Sequence, residues 1–415
     1  SEPDYGFAGS GPGSEIPVAK QIPQALCDDE VDVSGYMAVW SYGGDIYAYN
    51  VASGSRKDVC KAAGQQWGPR ISQNLVVWND KRNANAEYPE NVDIYAYDLT
   101  SGKEIAVTTE TEAEYLAGAG VDGTGKVYAA FARVYADLEG VDTAKDPQNL
   151  HVYTYNAGSG TFVPVWNTGF AAADGYPTVS GGQWDAGGPV VTWREATRIW
   201  ESGSWQEKFG RIMKLEVGVD VFPVQIYMGV PVSGPTANDG AIVWTLPDGA
   251  DKEQVWVWQD GAAGQETYEG IWHGRNQLTC GKEMVVYDKD GYAYMLTGRN
   301  LTSGAESVFS DMESEKARMD ENLLVWKKKG GTELYYVFTT GGVTLPGDIN
   351  GDGKILVSDC ILVLRMAVRL PITILGQNYT YPYPSLLVSA ADVNNNGVVE
   401  VGDAIKIQRK VVGLE

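Results

Sequence analysis

Two stretches near the C-terminus carry oxygen-bearing side chains at matched intervals: DINGDGKILVSD, Asp348 to Asp359, and DVNNNGVVEVGD, Asp392 to Asp403. In the first, Asp348, Asn350, Asp352 and Asp359 stand at positions one, three, five and twelve; in the second the same places hold Asp392, Asn394, Asn396 and Asp403. Gly353 and Gly397 at position six permit a sharp turn, and position seven needs only a backbone carbonyl, so Lys354 and Val398 are acceptable there. Ligands made only of oxygen suit a hard divalent cation such as calcium, which takes about six to eight of them. The spacing lets one loop wrap one ion, so two Ca2+ sites are expected. Glu400 at position nine of the second loop can help hold a water, whereas Leu356 in the first cannot.

The residues after each loop must be helical to hold it. Helices are expected over Ser358–Leu370, stopped by Pro371, and over Gly402–Val412. The pair resembles a dockerin, a duplicated loop–helix module that binds cohesin modules. That resemblance implies that Val357, Ser358, Val401 and Gly402, at positions ten and eleven, touch the partner, which would be a cohesin-like protein or further copies of the chain. Two features depart from the cellulosomal type. These contact positions are more apolar, and the segment Pro371–Ala391 between the repeats is longer and rich in Tyr and Pro. The module is expected to span residues 346–415, behind a short Gly/Pro linker.

The first 345 residues repeat a different unit. A short apolar strand ends in an aromatic at Trp40, Trp78, Phe131, Trp193, Trp244, Tyr287 and Trp326, and an alternating strand such as DIYAYN or DIYAYD follows each. Period-two alternation means strands. A small antiparallel sheet cannot bury both faces alone, so the units must stack, and a closed ring buries all of them. The fold class expected is mainly β: a seven-bladed β-propeller over 1–345, followed by the small α-helical module. Gly13–Val18 resembles the outer strand of the second unit and is expected to close the last blade. Residues 79–92, 132–148 and 194–209 read as long connections on one face, and Trp67, Trp200, Trp205 and Trp272 fall outside the anchors. The pattern Trp78-x-Asp80-x-Arg82 followed by DIYAYDLTSGKE resembles the propeller repeat of archaeal cell-surface proteins, a relative of the TolB-type propeller. That implies a secreted or surface-anchored protein. Asp80 and Arg82 read as an ion pair that stabilises the blade.

Composition narrows the partners. A net charge of −22 leaves nothing to neutralise phosphates in bulk, so nucleic acid is not expected. The longest apolar run is too short to span a bilayer. The chain begins at Ser1 without an apolar leader, as expected of a mature secreted chain. In that setting Cys27 and Cys60 are expected to pair, and Asn300 and Asn378, in Asn-x-Thr tripeptides, could carry glycans. No nucleophile elbow, HExxH or Gly-rich phosphate loop is present, and the chain has 2 His. The expected function is therefore a non-enzymatic extracellular assembly protein, docked or polymerised through the calcium-dependent module. The alternative is a secreted propeller that binds or cleaves carbohydrate.

Overall fold

The structure is a computed structural model. It describes residues 19–51, 54–122, 124–134, 148–167, 178–201, 204–229, 234–238, 241–247, 253–268, 273–281, 283–289, 295–310, 313–320, 323–339, 347, 349, 355–374, 377–383, 385–394, 396–412 and 414.

Alternating apolar residues produce strands throughout the first part of the chain. After β1 (Lys20–Leu26) come β2 (Val31–Ser34), β3 (Met37–Tyr42), β4 (Asp45–Asn50) and β5 (Ser55–Cys60). They are followed by β6 (Gln66–Ser72), β7 (Leu75–Asp80), β8 (Asp93–Asp98) and β9 (Lys103–Ala106), then β10 (Ala113–Val121), β11 (Val127–Val134), β12 (Gln148–Asn156) and β13 (Thr161–Asn167). Next are β14 (Thr178–Gly187), β15 (Val190–Glu201), β16 (Ser204–Glu216) and β17 (Val224–Gly229), then β18 (Thr236–Asn238), β19 (Ala241–Pro247), β20 (Glu253–Gln259) and β21 (Ala262–Gln265). Last come β22 (His273–Cys280), β23 (Met284–Lys289), β24 (Met295–Asn300) and β25 (Glu306–Val308), then β26 (Ser314–Asp320), β27 (Leu323–Lys328) and β28 (Glu333–Phe338).

Sheets form in that sequence order: β2 to β5, β6 to β9, β18 to β21 and β22 to β25 are four-stranded. The last sheet is ordered β1-β28-β27-β26, so the first described strand completes the final unit and joins the two ends of the chain. Closure by an N-terminal strand was expected, but it falls on Lys20–Leu26; Gly13–Val18 lies outside the described residues. The innermost strands β2, β6, β10, β14, β18, β22 and β26 each pack on the next, and β26 returns to β2.

Seven aromatic anchors sit in the middle of these sheets, and every one is fully buried. Trp40 stacks on Tyr47 at 5.9 Å, Trp78 on Tyr95 at 6.4 Å and Trp326 on Tyr335 at 6.2 Å, each pair directly opposed across two strands. Core clusters lie between successive units, and one joins β1, β27 and β28 to β2, β3 and β4. Truncating a buried Trp of this kind to Ala costs about 3–5 kcal/mol.

One junction differs. β10 and β14 meet in parallel at Gly118 and Ala186, fusing two units into an eight-stranded sheet. A Cβ on Gly118 would overlap Ala186 O, so glycine is required by the approach of the two backbones. We expect Gly118→Val to separate β10 from β14 and to destabilise by about 1–3 kcal/mol or more, as overpacking does. Urea denaturation followed by Trp fluorescence would show it.

Two sequence expectations are corrected here. Cys27 and Cys60 are free, buried thiols. Cys27 packs with Val33, Ala38 and Trp40 on one face of the first sheet, and Cys60 with Val39, Ile46 and Ala48 on the other. The sheet itself stands between them, so no bridge can form. Burial raises Cys27 to about 12 and Cys60 to about 11. The second correction concerns the long connection expected over 194–209: its described residues, 194–201 and 204–209, continue β15 and β16 as a hairpin, pairing through to Glu201 and Ser204.

The C-terminal part is helical: α1 (Val357–Ala367), β29 (Ile372–Ile374), β30 (Gln377–Tyr379), α2 (Ser385–Ala391) and α3 (Val401–Val411). Its own core gathers Ile349, Val363, Met366, Leu387, Ala390 and Ile407. No helix among the described residues is long and apolar enough to cross a membrane.

Candidate functional site

Each metal-loop motif ends on the first turn of a helix. Asp359 and Asp403 are both fully buried there. Asp359 accepts hydrogen bonds from Ile349 N at 2.9 Å and Leu356 N at 2.8 Å; Asp403 accepts them from Asn394 N at 3.1 Å and Glu400 N at 2.9 Å. The same bond, from the backbone N–H of position nine to the carboxylate of position twelve, thus forms in both loops and caps the helix that follows.

The second loop is described except for residue 395. Asp392 accepts from Asn396 N at 3.1 Å and Gly397 N at 2.7 Å, and Asn396 Oδ1 accepts from Val398 N at 2.9 Å. Gly397 has a φ of 84°, the left-handed turn required at position six. Glu400 Oε1 accepts from Asn396 Nδ2 at 2.8 Å. The Val398 side chain faces solvent, as a residue contributing only its carbonyl would. Oxygen donors alone line this loop, and a hard cation fits them. In the first loop Asp348, Asn350, Asp352 and Lys354 lie outside the described residues. No group of three or more His, Cys, Asp or Glu converges on a metal position among the described residues; the second loop takes two of its four side-chain donors from amides.

The four expected contact residues are placed alike. Val357 is 57% and Val401 50% exposed, and Ser358 and Gly402 are exposed beside them. Sequence reasoning missed their continuation. Ile361 in α1 and Ile405 in α3, and Val368 and Val412 just past the ends of those helices, are also exposed, so each helix carries an apolar stripe. The i, i+4, i+11 spacing was the available signal. Asn300 Oδ1 accepts from Thr302 N at 3.0 Å in a tight turn, while the side chain of Asn378 lies outside the described residues.

In the larger part, the expected Asp80–Arg82 ion pair forms at 2.7 Å. Asp80 also accepts Trp78 Nε1 at 2.9 Å, and Arg82 continues to Glu104 at 2.5 Å. Trp193 repeats the arrangement with Glu195, at 2.9 Å. Trp40, Trp244 and Trp326 have no acid two residues on, and their buried indole N–H groups meet no acceptor among the described residues. Trp67 is half-buried; Trp272 and the side chains of Trp200 and Trp205 lie outside the described residues.

A second set of residues meets at the centre of the ring. On the innermost strands, the residue paired with the one preceding each anchor is Asp32, Arg70, Gly118, Asp185, Thr236, Thr279 and Arg318 in turn. Arg70 Nη1 donates to Glu30 Oε2 at 2.8 Å, and Arg318 Nη1 lies 3.9 Å from Asp185 Oδ2 across the axis. Arg70 holds the Glu30 carboxyl down at about 2, while burial pushes the Asp32 carboxyl up. No sequence motif marks these residues; only the register against the anchor strands does.

The chain matches no protein family and no curated protein. Among solved structures it is similar to the β-propeller domain of the Trilobed protease from Pyrococcus furiosus, at 10% identity and a TM-score of 0.48, covering 76% of this chain and 96% of that one. The closed ring of sheets described above is a β-propeller fold. The puromycin-hydrolyzing peptidase of Mycobacterium tuberculosis is similar at 12% identity and a TM-score of 0.49, over 76% of this chain and 52% of that one. An oligogalacturonate lyase from Vibrio parahaemolyticus is similar at 8% identity and a TM-score of 0.49, over 78% of this chain and 93% of that one. The match to the tricorn protease, at 13% identity and a TM-score of 0.39 over 77% of this chain, spans 31% of the protease's own length. The similar propellers are mostly peptidases, with a lyase among them, so the expectation of a non-enzymatic structural protein finds no support there. Identities this low relate the folds and transfer no activity.

Proposed function

We propose that this is a secreted calcium-binding protein in which a seven-bladed propeller, residues 1–345, is attached to a cohesin-like partner by a dockerin-like module, residues 346–415. The observation that carries the reading is the matched pair of loop–helix units. Asp359 and Asp403 are buried in the same place, and the helices that follow expose matching apolar stripes. Calcium would be held by Asp348, Asn350, Asp352, Asp359 and the Lys354 carbonyl, and by Asp392, Asn394, Asn396, Asp403 and the Val398 carbonyl. Its charge would offset carboxylates brought within a few ångströms of one another. With both loops filled, the two helix starts would be fixed relative to each other and their stripes presented together. An apolar stripe of this size in water favours burial against a partner. The proposal assigns the module a role in attachment and leaves the propeller's own chemistry open. Its kinship with archaeal cell-surface propellers, and glycans on Asn300 and Asn378, belong to the same reading.

The test is a calcium-dependent pull-down of a cohesin module by the full chain. Val357→Asp together with Val401→Asp places two charges on the exposed stripes and leaves every proposed calcium ligand intact. Each desolvated charge in an interface costs several kcal/mol. Binding should therefore be lost in the double variant while calcium uptake, read by calorimetry, stays normal. A double variant that still binds as the native chain does would overturn the docking face.

A further inference from the structure

The centre of the propeller has a use that its sheets do not explain. In β6 the bulge residue Gly68, with a φ of 59°, precedes Arg70 by two positions; in β26 Lys316, with a φ of 57°, precedes Arg318 in the same way. A lysine in the left-handed region is strained, and such bulges re-aim the side chains that follow them. Arg70 and Arg318 therefore stand at equivalent positions on two units that flank β2. Beside them opens a cavity of about 370 Å³. Four cations line it, Arg70, Arg318, Lys316 and Lys329, against two carboxylates, Glu30 and Glu315. Lys316 also pairs with the exposed Asp29 at 2.9 Å, and Lys329 lies 3.8 Å from the exposed Glu313.

Both carboxylates are already engaged. Glu30 holds Arg70, and Glu315 takes Lys327 Nζ at 2.7 Å. The guanidinium of Arg70 is only partly satisfied. Its hydrogen bonds leave from Nη1, to Glu30 and to Pro69 O at 3.3 Å. Its Nε is buried without a partner, although the side chain is only 10% exposed. The Nε–Nη2 edge, the fork that grips an oxyanion with two parallel bonds, thus meets no acceptor among the described residues. The Arg318 side chain makes no hydrogen bond among the described residues, and its nearest carboxylate there is 3.9 Å away. Leaving buried donors of a charged group unmet is costly, and a network built only to plug the ring would have no reason to do so.

We propose that this axial cavity is a binding site for a small oxyanion, gripped by the free edge of Arg70 and by Arg318, with Lys316 at the entrance. Carboxylate and phosphate or sulfate share the chemistry, and either could be carried by a larger molecule reaching into the cavity. The experiment uses the full chain and isothermal calorimetry with acetate, glutarate, inorganic phosphate and sulfate, each at constant ionic strength against chloride. At least one oxyanion should bind above the chloride background. Stronger binding of acetate or glutarate assigns a carboxylate ligand, and stronger binding of phosphate or sulfate assigns those. Arg318→Gln should weaken binding roughly tenfold or more, the loss of one charge-assisted contact. Lys316→Gly removes a cation at a backbone position that glycine adopts without strain, as Gly68 does in the equivalent place. It should weaken binding while the melting temperature holds or rises, which separates a binding role from a folding one. The proposal is overturned if no oxyanion binds better than chloride, or if both variants bind as the native chain does.

Discussion

Replacing Asp80 by Ala should destabilise the propeller by roughly 3–5 kcal/mol, the cost of removing one partner of a buried ion pair. Asp80 is fully buried and each of its oxygens is used: Oδ2 takes Trp78 Nε1 at 2.9 Å with Arg82 Nε at 3.0 Å and Nη2 at 2.7 Å, and Oδ1 takes Arg82 N at 2.8 Å. Arg82 lies over Tyr95, with its guanidinium carbon 3.9 Å from the ring centroid, and reaches on to Glu104. Without Asp80 it would keep a partly buried charge and one exposed partner. The orphaned indole is the smaller part of the loss, because Trp40, Trp244 and Trp326 meet no acceptor among the described residues. Asp80→Asn keeps an acceptor for Trp78 and loses the charge, so it should fall between the native protein and the Ala variant. Urea denaturation of the three proteins measures the effect. A loss under about 1 kcal/mol in Asp80→Ala, the usual worth of an exposed pair, would mean that Arg82 is held by Glu104 and Tyr95 alone.

Removing calcium should have the second large effect, confined to the C-terminal module. At roughly a hundredfold excess over Kd, each bound ion adds about 2.7 kcal/mol to the folded state. A chelator should therefore expose residues 348–415 to protease while the strands from Lys20 to Phe338 stay resistant. Asp403→Asn sharpens the test. Its remaining oxygen can still accept from Asn394 or Glu400, so the helix cap is partly kept while the charge that would face the ion is lost. Calorimetry on this variant should lose one of two binding events. Equal protease resistance with and without chelator would show that the module folds without the ion.

Much of the β part was legible because its signals are local. Alternation specifies strands, and a buried Trp or Tyr in each middle strand marks the repeat, so the anchors and the strands after them fall where the sequence places them. The Trp78–Asp80–Arg82 triplet is likewise contained in five residues of one strand end. The helices after the loops begin at Val357 and Val401, one residue before the expected Ser358 and Gly402, because an acid on the first turn and an apolar period are both local features.

What depends on parity and register was decided only by the tertiary structure. The Cys27–Cys60 pairing expected of a secreted chain does not form, because the two thiols are buried in different core clusters on opposite sides of the first sheet. Residues 194–209 hold one turn signal, Ser202-Gly203, but charged residues interrupt the apolar alternation on both sides of it, and pairing across β15 and β16 made those two sides strands. The axial set Asp32, Arg70, Asp185 and Arg318 comes from four units far apart in sequence. One-residue bulges before Arg70 and Arg318 set where those two side chains lie, and ring closure brings all four to one axis. A strand's own sequence carries its alternation, whereas the neighbour that its charged residue will face is chosen by how the sheets close around the centre.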